Sequence, residues 1–234
     1  MWRDNIVLES LLYAFAAGIG GTGIGGVLAS MLRPGEKQLY FVINFAAGIM
    51  VAAVCFDMVP ASVELSGLFV TAAAMVAGIA AIALLDRFIT ARTNSRTGFG
   101  ALMGIAIALH DFPEGLAIGA SGSIEGLGLT VSILIAIHNI PEGLAMAAPM
   151  RLGKMKRAWI IFYTALTGLP TGIGAILGSL ATTVDTRAVG VSIACAAGAM
   201  AYLTFIRMLA SDGAQGIWGA LIGIMCGLFI TYGL

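Results

Sequence analysis

Charge is what this chain has least of. Only 10% of its 234 residues are Asp, Glu, Lys or Arg, where soluble domains carry roughly 25%, and its mean hydropathy is +1.00. That composition excludes an ordinary water-soluble globule and assigns the chain to a lipid bilayer. Its 12 basic and 12 acidic residues cancel, which leaves no electrostatic attraction for nucleic acid. Cysteine is scarce too. Cys55, Cys195 and Cys226 lie far apart in apolar runs, without C-x-x-C spacing and in odd number, so a disulfide framework is not expected. Met1-Trp2-Arg3-Asp4-Asn5 offers one base, one acid and no small-residue cleavage site, so the first apolar run is expected to stay as a membrane span.

Histidine is scarcest of all, and what there is carries the chemistry. The chain has 2 histidines, and each opens a copy of H-x-x-P-E-G: His110-Asp111-Phe112-Pro113-Glu114-Gly115 and, 28 residues later, His138-Asn139-Ile140-Pro141-Glu142-Gly143. Both copies sit inside long apolar runs, where an ionisable group is expensive and marks a functional site. On a helix His110 and Glu114 are i and i+4 and share a face, as do His138 and Glu142. Side by side, two such helices bring two imidazoles and two carboxylates to one point.

Eight runs are long enough to cross about 30 Å of hydrocarbon. They are expected near 6–32, 39–60, 67–86, 99–120, 125–149, 158–181, 187–209 and 214–233. The breaks fall at Arg33 to Lys37, Pro60 to Gly67, Arg87 to Gly98, Ser121 to Ser123, Arg151 to Arg157, Thr182 to Thr186 and Ser211 to Gly213. If the first span enters from outside, one set of loops holds Arg33, Lys37, Arg87, Arg92, Arg96, Arg151, Lys154, Lys156, Arg157 and Arg207. Only Arg3 and Arg187 remain on the other side. The positive-inside rule then puts both termini outside, in a single domain spanning 1–234.

Glycines spaced by four, such as Gly21/Gly25, Gly115/Gly119 and Gly219/Gly223/Gly227, predict close helix packing in lipid. A further echo joins Asn44-Phe45-Ala46-Ala47-Gly48-Ile49-Met50 in span two to Ala194-Cys195-Ala196-Ala197-Gly198-Ala199-Met200 in span seven, which runs the opposite way. The fold class expected is therefore an all-α membrane protein of eight helices. Spans one to three would recur upside down as six to eight, around a central pair, four and five, that carries the site.

Pro113 and Pro141 each remove a backbone donor inside a span and are expected to disturb the turns at Leu109 and Ile137. Such backbone at membrane depth lines a polar pocket rather than a lipid face. Mixed imidazole and carboxylate donors suit Zn²⁺, Fe²⁺, Mn²⁺, Co²⁺ or Cd²⁺ better than Mg²⁺ or Ca²⁺. His110, Glu114, His138 and Glu142 form the primary set; Asp111 and Asn139 offer an oxygen beside each histidine for a second, neighbouring ion. Because ligands must shed protons, metal loading is expected to weaken in acid. Asp57 reads equally as an entrance ligand or a helix-end carboxylate, Asp86-Arg87 as an interfacial charge pair, and Glu9 and Glu125 as solvated. Met50, Met146, Met150 and Met200 read as packing, with thioethers able to touch a soft ion in transit.

The paired motifs, the Asn44 to Pro60 run and the eight-span plan resemble the ZIP family of divalent-metal transporters, in its bacterial branch. The resemblance covers essentially the whole chain. It implies uptake of zinc- or iron-like ions toward the cytoplasm as substrates, a two-metal centre between spans four and five, no catalytic cofactor, a homodimer, and elevator-like motion of the metal-bearing helices. By motif position, His110, Glu114, His138 and Glu142 match the family's main-site ligands, and Asp111 and Asn139 those of its second site. Three departures stand out. Asp111 replaces a common asparagine, Thr171 stands in span six where the family usually has a glutamate, and residues 87–98 contain no histidine. Two rival readings remain at this level. One is an intramembrane zinc-dependent hydrolase, which needs an open coordination position and a spare base; the other is a small-solute channel, which leaves both glutamates without a role.

Overall fold

Eight helices cross the length of a bilayer, and they follow from apolar runs that must satisfy their own backbone in lipid. The computed structural model describes residues 2–31, 36–92, 96–121, 127–180, 186–209 and 214–233, and among these there is no strand. The spans are Leu11–Met31, Tyr40–Ser66, Leu68–Ile89, Gly100–Gly119, Leu129–Leu152, Arg157–Leu180, Thr186–Met208 and Gly216–Gly233. The breaks expected at Arg33 to Gly35, Gly122 to Ser123, Thr182 to Asp185 and Ser211 to Gly213 lie outside the described residues, as does Glu125.

One break falls later than expected. Span two continues through Pro60 to Ser66 and stops at Gly67, whose φ of +82° is left-handed. Pro60 is tolerated because a π-helical turn at Val54–Met58 precedes it and a new α-helix begins at Val59. A proline in the first turn of a helix gives up a donor that would have no intrahelical partner. Pro113 and Pro141 likewise sit inside unbroken helices, Arg96–Ser121 and Leu127–Leu152. Span six, in contrast, is interrupted at Gly168, just before Pro170, between helices Arg157–Thr167 and Leu169–Leu180.

Helix contacts repeat in the way an inverted duplication requires. Span four packs along the second half of span six, and span five along span one. Span two packs on span eight, and span seven on span three. Individual contacts correspond as well. A methyl group on Gly115 would strike the carbonyl of Thr171, and one on Gly143 that of Thr22. In the echoed motifs, Gly48 meets span eight at Ala220 while Gly198 meets span three at Met75. A π-helical turn follows each echo, at Val54–Met58 and Leu203–Met208. Lipid tails are as apolar as Leu side chains, so this close backbone approach, rather than a hydrophobic drive, holds the bundle together.

The largest apolar cluster includes Met50, Met103, Ile107, Met146, Met150, Met200 and Met208, all buried. The methionines singled out in the sequence are thus packed in the core. Near it, Asp86 is tied to span seven. It is 6% exposed, accepts a hydrogen bond from Tyr202 Oη at 2.9 Å, and lies 3.3 Å from Arg207 Nη2 of span seven. Asp86 thus reaches across to span seven.

Candidate metal centre

The helical register places His110, Glu114, His138 and Glu142 on facing sides of spans four and five. His110 Nε2 lies 3.0 Å from Glu114 Oε1 and 3.4 Å from Glu142 Oε1, and His138 Nε2 lies 3.2 Å from the same Glu142 oxygen. The two imidazole centroids are 5.7 Å apart. Glu142 therefore bridges both histidines, and its side chain is 1% exposed. His110, His138 and Glu142 place one donor atom each within 4.8 Å of one another, and so do His110, Asp111 and Glu114. His110 belongs to both triads and stands between two candidate ion positions.

Hydrogen bonding does not account for this cluster. Among the described residues, His110 Nδ1 and Nε2, His138 Nε2, Glu114 Oε2 and both Glu142 oxygens are buried without a hydrogen-bond partner. The pairs are close enough to attract, and the donor atoms of both motifs crowd into one place inside the bundle. Buried groups of this kind cost several kcal/mol each in apolar surroundings unless something binds them. A divalent cation in that space satisfies donors of both motifs together.

Asp111 is fully buried, with both oxygens in the same partnerless condition. Thr171, also fully buried, neighbours it. Asn139 is fully buried; its Nδ2 donates a long hydrogen bond of 3.5 Å to Ala17 O and its Oδ1 is left over. Five of the six motif residues are thus brought together, in two groups that share His110, while Asn139 is buried with its amide turned to span one.

Asp57, which the sequence left open, is drawn toward the same place. It lies in the π-helical turn of span two, where one extra residue per turn re-aims side chains. A cavity of about 120 Å³ is lined by Asp57, Glu114, His138 and Thr231 among others. Periodicity alone does not reveal this, because the α-helical register is shifted by the π turn. Glu9, as expected, is exposed.

On the other side of the motifs the flanking residues are buried. Met103, Ala106 and Ile107 precede His110 and are buried; Ala145 and Met146 follow Glu142 and are buried too. Spans four and five are antiparallel, so these residues lie at the same level, opposite the Asp57 cavity.

An eight-helix membrane bundle that gathers its 2 histidines with Glu114 and Glu142 at one place inside defines a membrane transport protein for cations. The profile of the family described as ZIP Zinc transporter matches residues 91–234. Among similar proteins, the zinc transporter ZupT of Corynebacterium efficiens is 34% identical, over 88% of this chain and 87% of that one. ZupT of Clostridium perfringens is 30% identical, with 94% of each chain covered. ZupT of Chlorobaculum parvum is 32% identical, with 94% of each covered. The chain belongs to the ZIP family; it is a multi-pass membrane transporter of divalent metal ions and not an enzyme.

Proposed function

We propose that the chain carries zinc toward the cytoplasm, and that the ion pauses between spans four and five on His110, Glu114, His138 and Glu142. Convergence of orphaned buried donors from both motifs is the observation that carries this reading. Asp111 and, by motif position, Asn139 supply a neighbouring second position; Asp111 shares His110 with the first. Ions approach through the cavity at Asp57, and release requires the methionine-rich cluster beyond the motifs to part. Loop charge supports external termini and hence an inward direction. The whole chain acts as one eight-helix unit in the inner membrane. The donor set also admits iron, manganese, cobalt and cadmium. A homodimer is carried by the family resemblance.

Zinc flux into proteoliposomes tests the assignment. Glu114→Ala and Glu142→Ala are expected to abolish uptake while the purified proteins stay monodisperse; normal flux in either variant contradicts the site.

A further inference from the structure

We propose that an anionic glycerophospholipid binds where spans four, five and six meet at the basic end of the bundle, its acyl chain in an apolar groove and its headgroup on the loop joining spans five and six. The groove has a volume of about 490 Å³. Its walls include Ala101 and Ile105 from span four, Met146 and Met150 from span five, and Tyr163 and Leu166 from span six. Ile105, Tyr163 and Leu166 are exposed, so the groove opens to the hydrocarbon. A zwitterionic lipid could fill such a groove, and the charge at its end decides between the two.

Met155 also lines the groove, and Lys154 and Lys156 flank it. With Arg151 and Arg157 they place 4 basic residues within residues 151–157, a stretch without a single acid. The loop is held in one shape. Gly153 N–H donates to Pro149 O at 2.9 Å, Lys154 N–H to Arg151 O at 3.1 Å and Met155 N–H to Met150 O at 3.1 Å. Lys154 adopts a left-handed φ of 60°. Arg151 Nε is buried and, among the described residues, has no hydrogen-bond partner. The helix Arg157–Thr167 starts here without a side-chain cap or an acidic residue in its first turn, so its positive end adds to the same field. Trp159 stacks on Tyr163 with centroids 5.7 Å apart, an aromatic pair at the depth where headgroup meets acyl chain. Basic pockets between transmembrane helices at a lipid surface select anionic headgroups. Lipid seated here would touch both metal-bearing helices, since Ile105 and Met146 lie on spans four and five.

Trp159 reads the site directly. The chain has 3 tryptophans, so Trp2→Phe with Trp218→Phe leaves it as the sole fluorophore. The full-length protein is titrated in detergent micelles with phosphatidylglycerol or phosphatidylcholine brominated on the acyl chains. Quenching by phosphatidylglycerol is expected at concentrations about tenfold lower. Lys154→Gln with Lys156→Gln and Arg157→Gln should erase that preference. Ala101→Phe, which fills the groove, should weaken quenching by both lipids, and Arg151→Gln gives the headgroup test again if the triple variant does not fold. Equal quenching by the two lipids overturns the proposal, and it is also the result expected if a second copy of the chain covers the groove. A preference that survives the neutralised loop, or quenching untouched by Ala101→Phe, overturns it as well.

Discussion

Glu142 is the residue on which the two halves of the site meet. One of its oxygens lies 3.4 Å from His110 Nε2 and 3.2 Å from His138 Nε2, whereas Glu114 sits 3.0 Å from His110 and is 17% exposed. Loss of Glu142 should therefore weaken zinc binding more than loss of Glu114, each by more than about tenfold in a direct titration; equal or negligible effects would count against the bridging role. Protons compete for the same nitrogen and oxygen atoms, so zinc binding should release protons and its apparent affinity should fall as pH is lowered. An affinity that does not change between neutral and mildly acidic buffer contradicts ligation by these groups. The neighbouring position invites a gain instead of a loss. Thr171 is buried beside Asp111, and Thr171→Glu adds a carboxylate there. Bound zinc per chain should rise, and an unchanged stoichiometry refutes the second position. At this scale the convergence of His110, Glu114, His138 and Glu142 was legible from i, i+4 spacing, because a helix fixes which side chains share a face. Asp57 was not, because its direction is set by a π-helical turn that carries no sequence signature of its own.

Elements are held here by close backbone approach and by buried polar links, among them those of Ser62 with Gly190 and of Asp86 with span seven. A methyl on Gly25 would strike the carbonyl of Ile140 in span five, whereas one on Gly20 meets nothing within 4 Å. Gly25→Ala should lower stability by about 1–3 kcal/mol through overpacking, and Gly20→Ala should leave it nearly unchanged. Melting of the two purified variants in one detergent checks the contrast; equal midpoints contradict the packing account. Asp86 ties span three to span seven through Arg207 and Tyr202. Asp86→Asn removes the charge that faces Arg207. Because that arginine is 32% exposed, the expected cost is about 1–2 kcal/mol rather than that of a fully buried pair. The eight spans themselves were plain in the sequence, since an apolar run of bilayer length seldom folds as anything but a membrane helix. The end of span two was not. Pro60 reads as a stop, and only the preceding π turn lets the helix restart beneath it.

Across the whole molecule, the repeated contacts relate span four on six to span five on one, and span two on eight to span seven on three. The echo of Asn44 to Met50 in Ala194 to Met200 showed this duplication in outline; the pairing of Gly115 with Thr171 and of Gly143 with Thr22 supplies its geometry. Such a bundle places its site where the two halves meet and lets one group of helices move against the other. The Asp57 cavity lies on one side of the motifs, and buried Met103, Ile107 and Met146 lie on the other. Loop charge predicts the sidedness, with both termini outside. A cysteine at Ser66 should react with an impermeant thiol reagent in intact cells and one at Lys154 should not; the reverse pattern inverts the topology and the direction of transport.

Anomalous diffraction at the zinc edge, from crystals grown with zinc, tests the central claim most directly. The account predicts a peak about 2.0–2.2 Å from the His110 and His138 imidazole nitrogens and from an oxygen of Glu142. A zinc ion ordered elsewhere in the bundle while those side chains remain unligated would contradict it.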